Sequence, residues 1–173
     1  MSIERLKAAI RDVPDFPKPG ILFKDITPVL SDPALFKAAV DLFAERHRKS
    51  RLDMICAIEA RGFLFGAALA YTLGIGIVPI RKKGKLPYKT IESSYSLEYG
   101  TATLAVHVDA LKKGARVLLM DDLLATGGTA AASAQLIEQL GGEIVELDFL
   151  VELAFLKGRE KLAKHNVFAP IVF

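Results

Sequence analysis

The chain has 173 residues, with 23 lysines and arginines against 20 aspartates and glutamates, and it is 51% hydrophobic and 25% charged. That balance excludes a mainly disordered chain, because it can bury enough apolar surface to offset chain entropy. Cys56 is the single cysteine, which excludes an intrachain disulfide and suits a reducing cytoplasm. A net charge of +3 is too small to mark a nucleic-acid binder, so where the charges sit matters more than their sum.

The length is that of one domain, and no repeat or low-complexity linker divides it, so residues 1–173 are expected to form a single domain. Residues 1–13 read as an amphipathic helix with Ile3, Leu6, Ala9 and Ile10 on one face. They lack the apolar core of a signal peptide. Ser31, Asp32 and Pro33 read as a helix start, a capping residue followed by proline. Leu35, Phe36, Ala39, Val40 and Phe43 follow at helical spacing. Residues 53–58 suit a buried strand, and residues 62–73 a second apolar helix.

Residues 63–80 hold no charge, a run of 18 that meets the minimum for a membrane span. Gly74 and Gly76 break it, and residues 77–80 read as a β-branched strand end. A helix feeding a buried strand explains the run without a bilayer. Residues 81–100 are polar and glycine-containing, and read as a long loop. Residues 116–120 are an apolar strand, 127–140 an alanine-rich helix and 143–151 another strand. Strands alternating with helices predict an α/β fold with a mainly parallel twisted sheet flanked by helices. Ligands in such sheets sit beyond the carboxyl ends of the strands.

Beyond the strand at 116–120 comes Asp121-Asp122-Leu123-Leu124-Ala125-Thr126-Gly127-Gly128-Thr129. Two glycines and two threonines at a helix start present backbone N–H groups and hydroxyls to an anion, aided by the helix dipole. No lysine follows the glycines, so this is not a Walker A loop. The G-x-G-x-x-G fingerprint is also absent. Two carboxylates next to a phosphate loop can accept hydrogen bonds from two vicinal hydroxyls. A phosphate beside a diol describes a ribose 5-phosphate.

This run resembles the phosphoribosyl pyrophosphate motif of the type I phosphoribosyltransferases, and its wording D-D-L-L-A-T-G-G-T is similar to that of their adenine-specific branch. Other segments agree in order. Residues 16–28 (FPKPGILFKDITP) resemble the base-binding segment, and residues 59–66 (EARGFLFG) the pyrophosphate loop. Residues 81–87 (RKKGKLP) and 94–100 (SYSLEYG) resemble the catalytic loop, and VEL at 151–153 with LKGR at 156–159 continues the match. The resemblance implies that fold, with a small N-terminal hood at about residues 1–30 and a mobile catalytic loop at about 81–100. It implies purine salvage: adenine and phosphoribosyl pyrophosphate give AMP and pyrophosphate, with Mg2+ bound alongside the pyrophosphate. It also implies a cytoplasmic homodimer, with neither nucleic acid nor membrane as a partner.

Residue by residue, Ala125, Thr126, Gly127, Gly128 and Thr129 are expected to hold the 5-phosphate, and Asp121 and Asp122 the ribose hydroxyls. Arg61 matches a phosphate with its planar fork. A cation at a helix N-terminus has the wrong sign for the dipole unless an anion lies between them. By resemblance Arg61 contacts pyrophosphate, and the Ala60–Arg61 bond is expected to be cis. Arg81, Lys82 and Lys85 are chosen as further pyrophosphate contacts, and Lys83 and Lys89 as solvent-facing. These five cations alone outnumber the net excess of +3. Glu98 and Tyr99 end the same loop; the resemblance puts Glu98 at the base, assisting proton removal. Phe23 is expected to stack on the purine, with the backbones of Leu22 and Lys24 reading its edge.

His47, His107 and His165 show no zinc-site spacing with Cys56, so no protein metal ligand is named. Cys56 reads as a small core residue. Two other readings stay open. One is a type I transferase for hypoxanthine, guanine, xanthine or orotate. The other is a purine regulator that senses phosphoribosyl pyrophosphate and binds DNA, disfavoured because about fifteen residues precede the base-binding segment, too few for a helix-turn-helix with its packing partner.

Overall fold

The amphipathic N-terminus is helical only as far as Ala9: α1 is Ile3–Ala9, and the chain then extends as β1, Arg11–Pro14. Pro14 favours an extended conformation at Val13, which ends the expected helix early. The computed structural model describes residues 2–96 and 101–173, and the chain divides into two units, Met1–Phe43 and Ala44–Phe173. In the first unit β1 pairs antiparallel with β2, Leu22–Asp25, in the register Val13↔Phe23. A turn with a cis Phe16–Pro17 bond joins them, held by the Gly20 N–H donating to Asp15 Oδ1 at 2.7 Å. A short helix α2, Thr27–Ser31, leads to α3, Pro33–His47. Asp32 starts α3 as expected: its Oδ1 accepts from the backbone N–H groups of Ala34 at 2.8 Å and Leu35 at 3.0 Å.

The second unit is built on one eight-stranded sheet. Its first strand is β3, Met54–Ile58, followed by α4, Gly62–Leu73, and β4, Gly76–Lys82. Gly74, at φ 69°, caps α4 in the left-handed region that glycine adopts without a Cβ clash. Among the described residues no helix is long and apolar enough to cross a membrane. Next come β5, Thr90–Ser96, β6, Thr101–His107, β7, Arg116–Leu124, α5, Gly128–Gln139, and β8, Glu143–Glu152. Two short strands, β9 (Val167–Phe168) and β10 (Ile171–Val172), both pair with β8.

The strand order is β10-β8-β7-β3-β4-β6-β5. Pairings from β10 through β4 are parallel; β4–β6 and β5–β6 are antiparallel. Helices cover both faces. Gly66 of α4 lets that helix settle on Ala57, Ile77 and Ile55, where a Cβ would stand 2.6 Å from the Ala57 Cβ. The other face carries Cys56, Ile58, Val78 and Leu119, packed with Ala134, Leu136 and Ile137 of α5. Strands buried on both faces read as continuous apolar runs, which is why β3 and the first half of β7 were legible in the sequence. Burial also pushes the Cys56 thiol up to about 12, as a core residue requires.

One expectation fails here. Residues 81–96 are not a long loop: β4 continues through Lys82, and Thr90–Ser96 is a strand. Ile91, Ser93 and Tyr95 point inward at period two, while Glu92, Ser94 and Ser96 are exposed. A half-polar edge strand lacks the apolar run that marks the buried ones.

Candidate active site

β3 leads through α4 to β4 on one side, whereas β7 leads through α5 to β8 on the other. The chain therefore reverses its direction of travel between β3 and β7, and the two helices lie on opposite faces. A crevice opens at such a switch point, beyond the carboxyl ends of the two strands. A cavity of about 420 Å³ lies there. Glu59, Ala60 and Arg61 line it from the end of β3, and Asp121 through Ala130 from the end of β7 and the start of α5. Ile58, Lys82, Tyr95, Leu104 and Phe149 complete the wall.

β7 runs on beyond the expected strand end at Met120, because Leu123 and Leu124 pair with Val151 and Glu152 of β8. Asp121 and Asp122 thus sit on a strand, and the glycine-rich turn proper is Ala125–Gly127. Gly127 takes φ 79° at the N-cap of α5, and a Cβ there would meet the carbonyl of Gly158. The return segment at 156–159 therefore backs the turn closely. Backbone N–H groups at the start of α5, with the helix dipole, make the turn an anion cradle.

Arg61 is the N-cap residue of α4. Its Nε donates to Asp122 Oδ2 at 2.5 Å, with Asp122 only 4% exposed. The unfavourable dipole at that helix start is thus met by a carboxylate. The Asp122 N–H donates to Asp121 Oδ1 at 2.8 Å. Burial, and then the charge of Asp122 beside it, push the Asp121 carboxyl well above the usual carboxylate range. A Cβ on Gly62 would stand 2.8 Å from Asp121 Oδ1, so glycine is what lets α4 start against the acid.

Of the cations, Lys82 lines the cavity. Arg81 Nε donates instead to Glu59 Oε2 at 2.9 Å, and its Nη1 to the Lys85 carbonyl at 3.0 Å. Arg81 and Lys85 are thereby held to each other beside Glu59 and do not line the wall. Lys83 is exposed and pairs with Glu92 at 2.8 Å. The cis bond lies one position earlier than expected, at Glu59–Ala60 and not at Ala60–Arg61. Glu98 and Tyr99 lie outside the described residues.

The base-recognition candidates belong to the first unit. Leu22 is exposed, while Phe23 is half-buried and meets Phe16 edge to face, with ring centroids 5.1 Å apart. Lys24 Nζ pairs with Asp12 Oδ1 at 2.5 Å.

Glu59 and Tyr95 are lining residues that sequence reasoning missed. Glu59 is the first residue beyond an apolar strand, the position the strand-end rule marks. Tyr95 lies in the segment 94–100 that the resemblance marks, but it was not singled out because its strand was not visible.

Residues 26–168 match the phosphoribosyl transferase domain. The chain belongs to that family. It is 58% identical over 171 residues to an adenine phosphoribosyltransferase of Syntrophotalea carbinolica, spanning 99% of this chain and 100% of that one. The crystal structure of the adenine phosphoribosyltransferase of Thermoanaerobacter pseudethanolicus superposes with a TM-score of 0.96 at 53% identity, over 99% of this chain and 100% of that chain. The Saccharomyces cerevisiae enzyme, solved in complex with adenine and an imino-altritol bisphosphate, superposes with a TM-score of 0.93 at 42% identity, over 98% of each chain. The matched residues 26–168 include the segments at 59–66, 81–87, 121–129 and 156–159.

Proposed function

We propose that this chain is an adenine phosphoribosyltransferase of purine salvage, transferring the 5-phosphoribosyl group from phosphoribosyl pyrophosphate to adenine. One observation carries the reading. The crevice between β3 and β7 sets an anion cradle, Ala125–Thr129, beside an acid pair and an arginine in one cavity. Full-length identity to adenine phosphoribosyltransferases supports the choice of base.

A ring nitrogen of adenine attacks the anomeric carbon. The bond from that carbon to the pyrophosphate oxygen breaks, and pyrophosphate leaves with the electron pair. The Ala125–Thr129 turn holds the 5-phosphate, Asp121 and Asp122 the ribose hydroxyls. Arg61 and Lys82 offset the charge gathering on the leaving group, assisted by Arg81 and Lys85 from beside the wall. Glu98, with Tyr99 as its neighbour in the sequence, takes the proton that adenine loses. Leu22, Phe23 and Lys24 hold the base. Positioning the two substrates in line supplies much of the remaining acceleration.

Magnesium is assigned to the pyrophosphate substrate. The carboxylates in and beside the wall support this, since Glu59 is taken by Arg81, Asp122 by Arg61, and the Asp121 carboxyl is pushed toward its neutral form. A hard cation at such a site binds through substrate oxygens and water, and when bound it offsets the leaving group's charge. The chain acts as a cytoplasmic homodimer. Leu64 and Tyr71, one face of α4 at i and i+7, support self-association, with Tyr71 90% exposed. Sedimentation at twice the chain mass checks it.

Incubation of the purified protein with adenine, labelled phosphoribosyl pyrophosphate and magnesium tests the function. Labelled AMP is the expected product, and a chelator suppresses it. Release of free ribose 5-phosphate with no AMP overturns the reading.

A further inference from the structure

Tyr95 stands on the inward face of β5 at the register position opposite Ala102 of β6. β5 is fastened to α5 at two points. Ser93 Oγ donates to Gln135 Oε1 at 2.8 Å, and the Thr129 hydroxyl donates to the Tyr95 hydroxyl at 2.9 Å. The ring of Tyr95 lies on Gly128, where a Cβ would stand 3.0 Å from the ring carbon Cδ2. Glycine at the first turn of α5 thus makes room for the ring.

Two hydroxyls meet at 2.9 Å, and each can donate or accept. With Thr129 donating, the Tyr95 oxygen accepts and its own proton is left for a second acceptor. A phenol can accept and donate at once, and accepting strengthens the bond it donates. Tyr95 lines the 420 Å³ cavity together with Gly127, Gly128 and Thr129, so an anion in the cradle is within its neighbourhood.

We propose that the Tyr95 hydroxyl is a direct donor to the 5-phosphate, aimed by the Thr129 hydroxyl. This rests on the reading of Ala125–Thr129 as the 5-phosphate cradle. Tyr95 adds a side-chain donor from a separate strand to a site otherwise built from one turn and one helix end.

Tyr95→Phe keeps the ring on Gly128 and removes only the hydroxyl. The expected result is a KM for phosphoribosyl pyrophosphate and an inhibition constant for ribose 5-phosphate each raised about 10- to 150-fold, the range of one hydrogen bond to a charged group. The KM for adenine and the inhibition constant for pyrophosphate stay within two-fold, and the melting temperature stays within a degree or two. Thr129→Val weakens ribose 5-phosphate as well, and the double variant is no worse than the poorer single one, since the two hydroxyls act as a unit. If ribose 5-phosphate inhibits the wild type but Tyr95→Phe leaves its inhibition constant unchanged, the Tyr95 assignment is overturned. If ribose 5-phosphate does not inhibit the wild type at all, the cradle reading falls and the assignment with it. A lower melting temperature with all four constants weakened together assigns Tyr95 to packing alone and overturns the proposal.

Discussion

Arg61 and Asp122 join the two halves of the crevice: Arg61 Nε donates to Asp122 Oδ2 at 2.5 Å, linking the loop after β3 to the end of β7. The cation proposed for pyrophosphate is thus held by the acid proposed for ribose. Its position is fixed before substrate arrives, which reduces the reorganisation needed in the transition state.

Arg61→Ala is expected to lower turnover about 10²- to 10³-fold, the scale of losing one charge-stabilising donor. It also strips the buried Asp122 of its partner, at about 1–3 kcal/mol of stability. Steady-state kinetics and thermal melts on one preparation separate the two effects. Lys83→Ala is the control. Its exposed pair with Glu92 is worth about 0–1 kcal/mol and lies off the cavity, so both readouts stay put. Near-normal turnover in Arg61→Ala removes Arg61 from the chemistry.

Asp121 gives a pH signature. Its carboxyl is pushed well above the usual range by burial and by Asp122, so the folded protein holds a proton there that the unfolded chain has released. Stability from this group is therefore lost as pH rises from about 4 toward the raised value. Asp121→Asn does not titrate. The melting temperature of the wild type relative to Asp121→Asn is expected to be highest near pH 4 and to decline as pH rises. The same variant binds phosphoribosyl pyrophosphate more weakly, because one carboxyl oxygen is exchanged for an amide NH2 that cannot accept from a ribose hydroxyl. A wild-type advantage that grows with pH contradicts the assignment.

Gly127→Ala puts a Cβ at φ 79° and against the Gly158 carbonyl. A non-glycine residue held in that region costs about 1–3 kcal/mol, and the clash adds to it. The expected outcome is a lower melting temperature together with a KM for phosphoribosyl pyrophosphate raised at least several-fold. Glycine is needed here for two reasons, conformation and space.

Away from the crevice, His47 Nε2 meets Asp148 Oδ2 at 2.7 Å, with side chains 1% and 0% exposed. Arg46 holds Glu146 beside them through bonds of 2.6 and 2.7 Å. Burial pushes the Asp148 carboxyl up to about 6, and the bond from His47 opposes the shift. His47→Ala leaves that carboxyl buried and unpaired, at about 3–5 kcal/mol. A fall in denaturation midpoint with kcat retained at low temperature is expected. Lost kcat in a fully folded variant contradicts a structural role.

The glycine turn at Ala125–Gly127 was legible because three constraints coincide in one run. β7 must be apolar on both faces, the turn must have glycine, and the helix must start with free N–H groups. Gly62–Leu73 and the Asp32 cap were legible for similarly local reasons. Tyr95 was not, because its role depends on β5 pairing with β6 and lying on α5, contacts between distant parts of the chain. Glu59 was overlooked beside a more conspicuous arginine. The joining of Arg61 to Asp122 depends on β3 and β7 being neighbours in the sheet, an order that periodicity does not encode.

A panel of bases tests the central claim most directly. Purified protein, magnesium and labelled phosphoribosyl pyrophosphate are offered adenine, hypoxanthine, guanine, xanthine and orotate separately, and nucleotide formation is followed by chromatography. The account predicts rapid AMP formation from adenine and little or no product from the other four. Efficient turnover of hypoxanthine with none of adenine contradicts it.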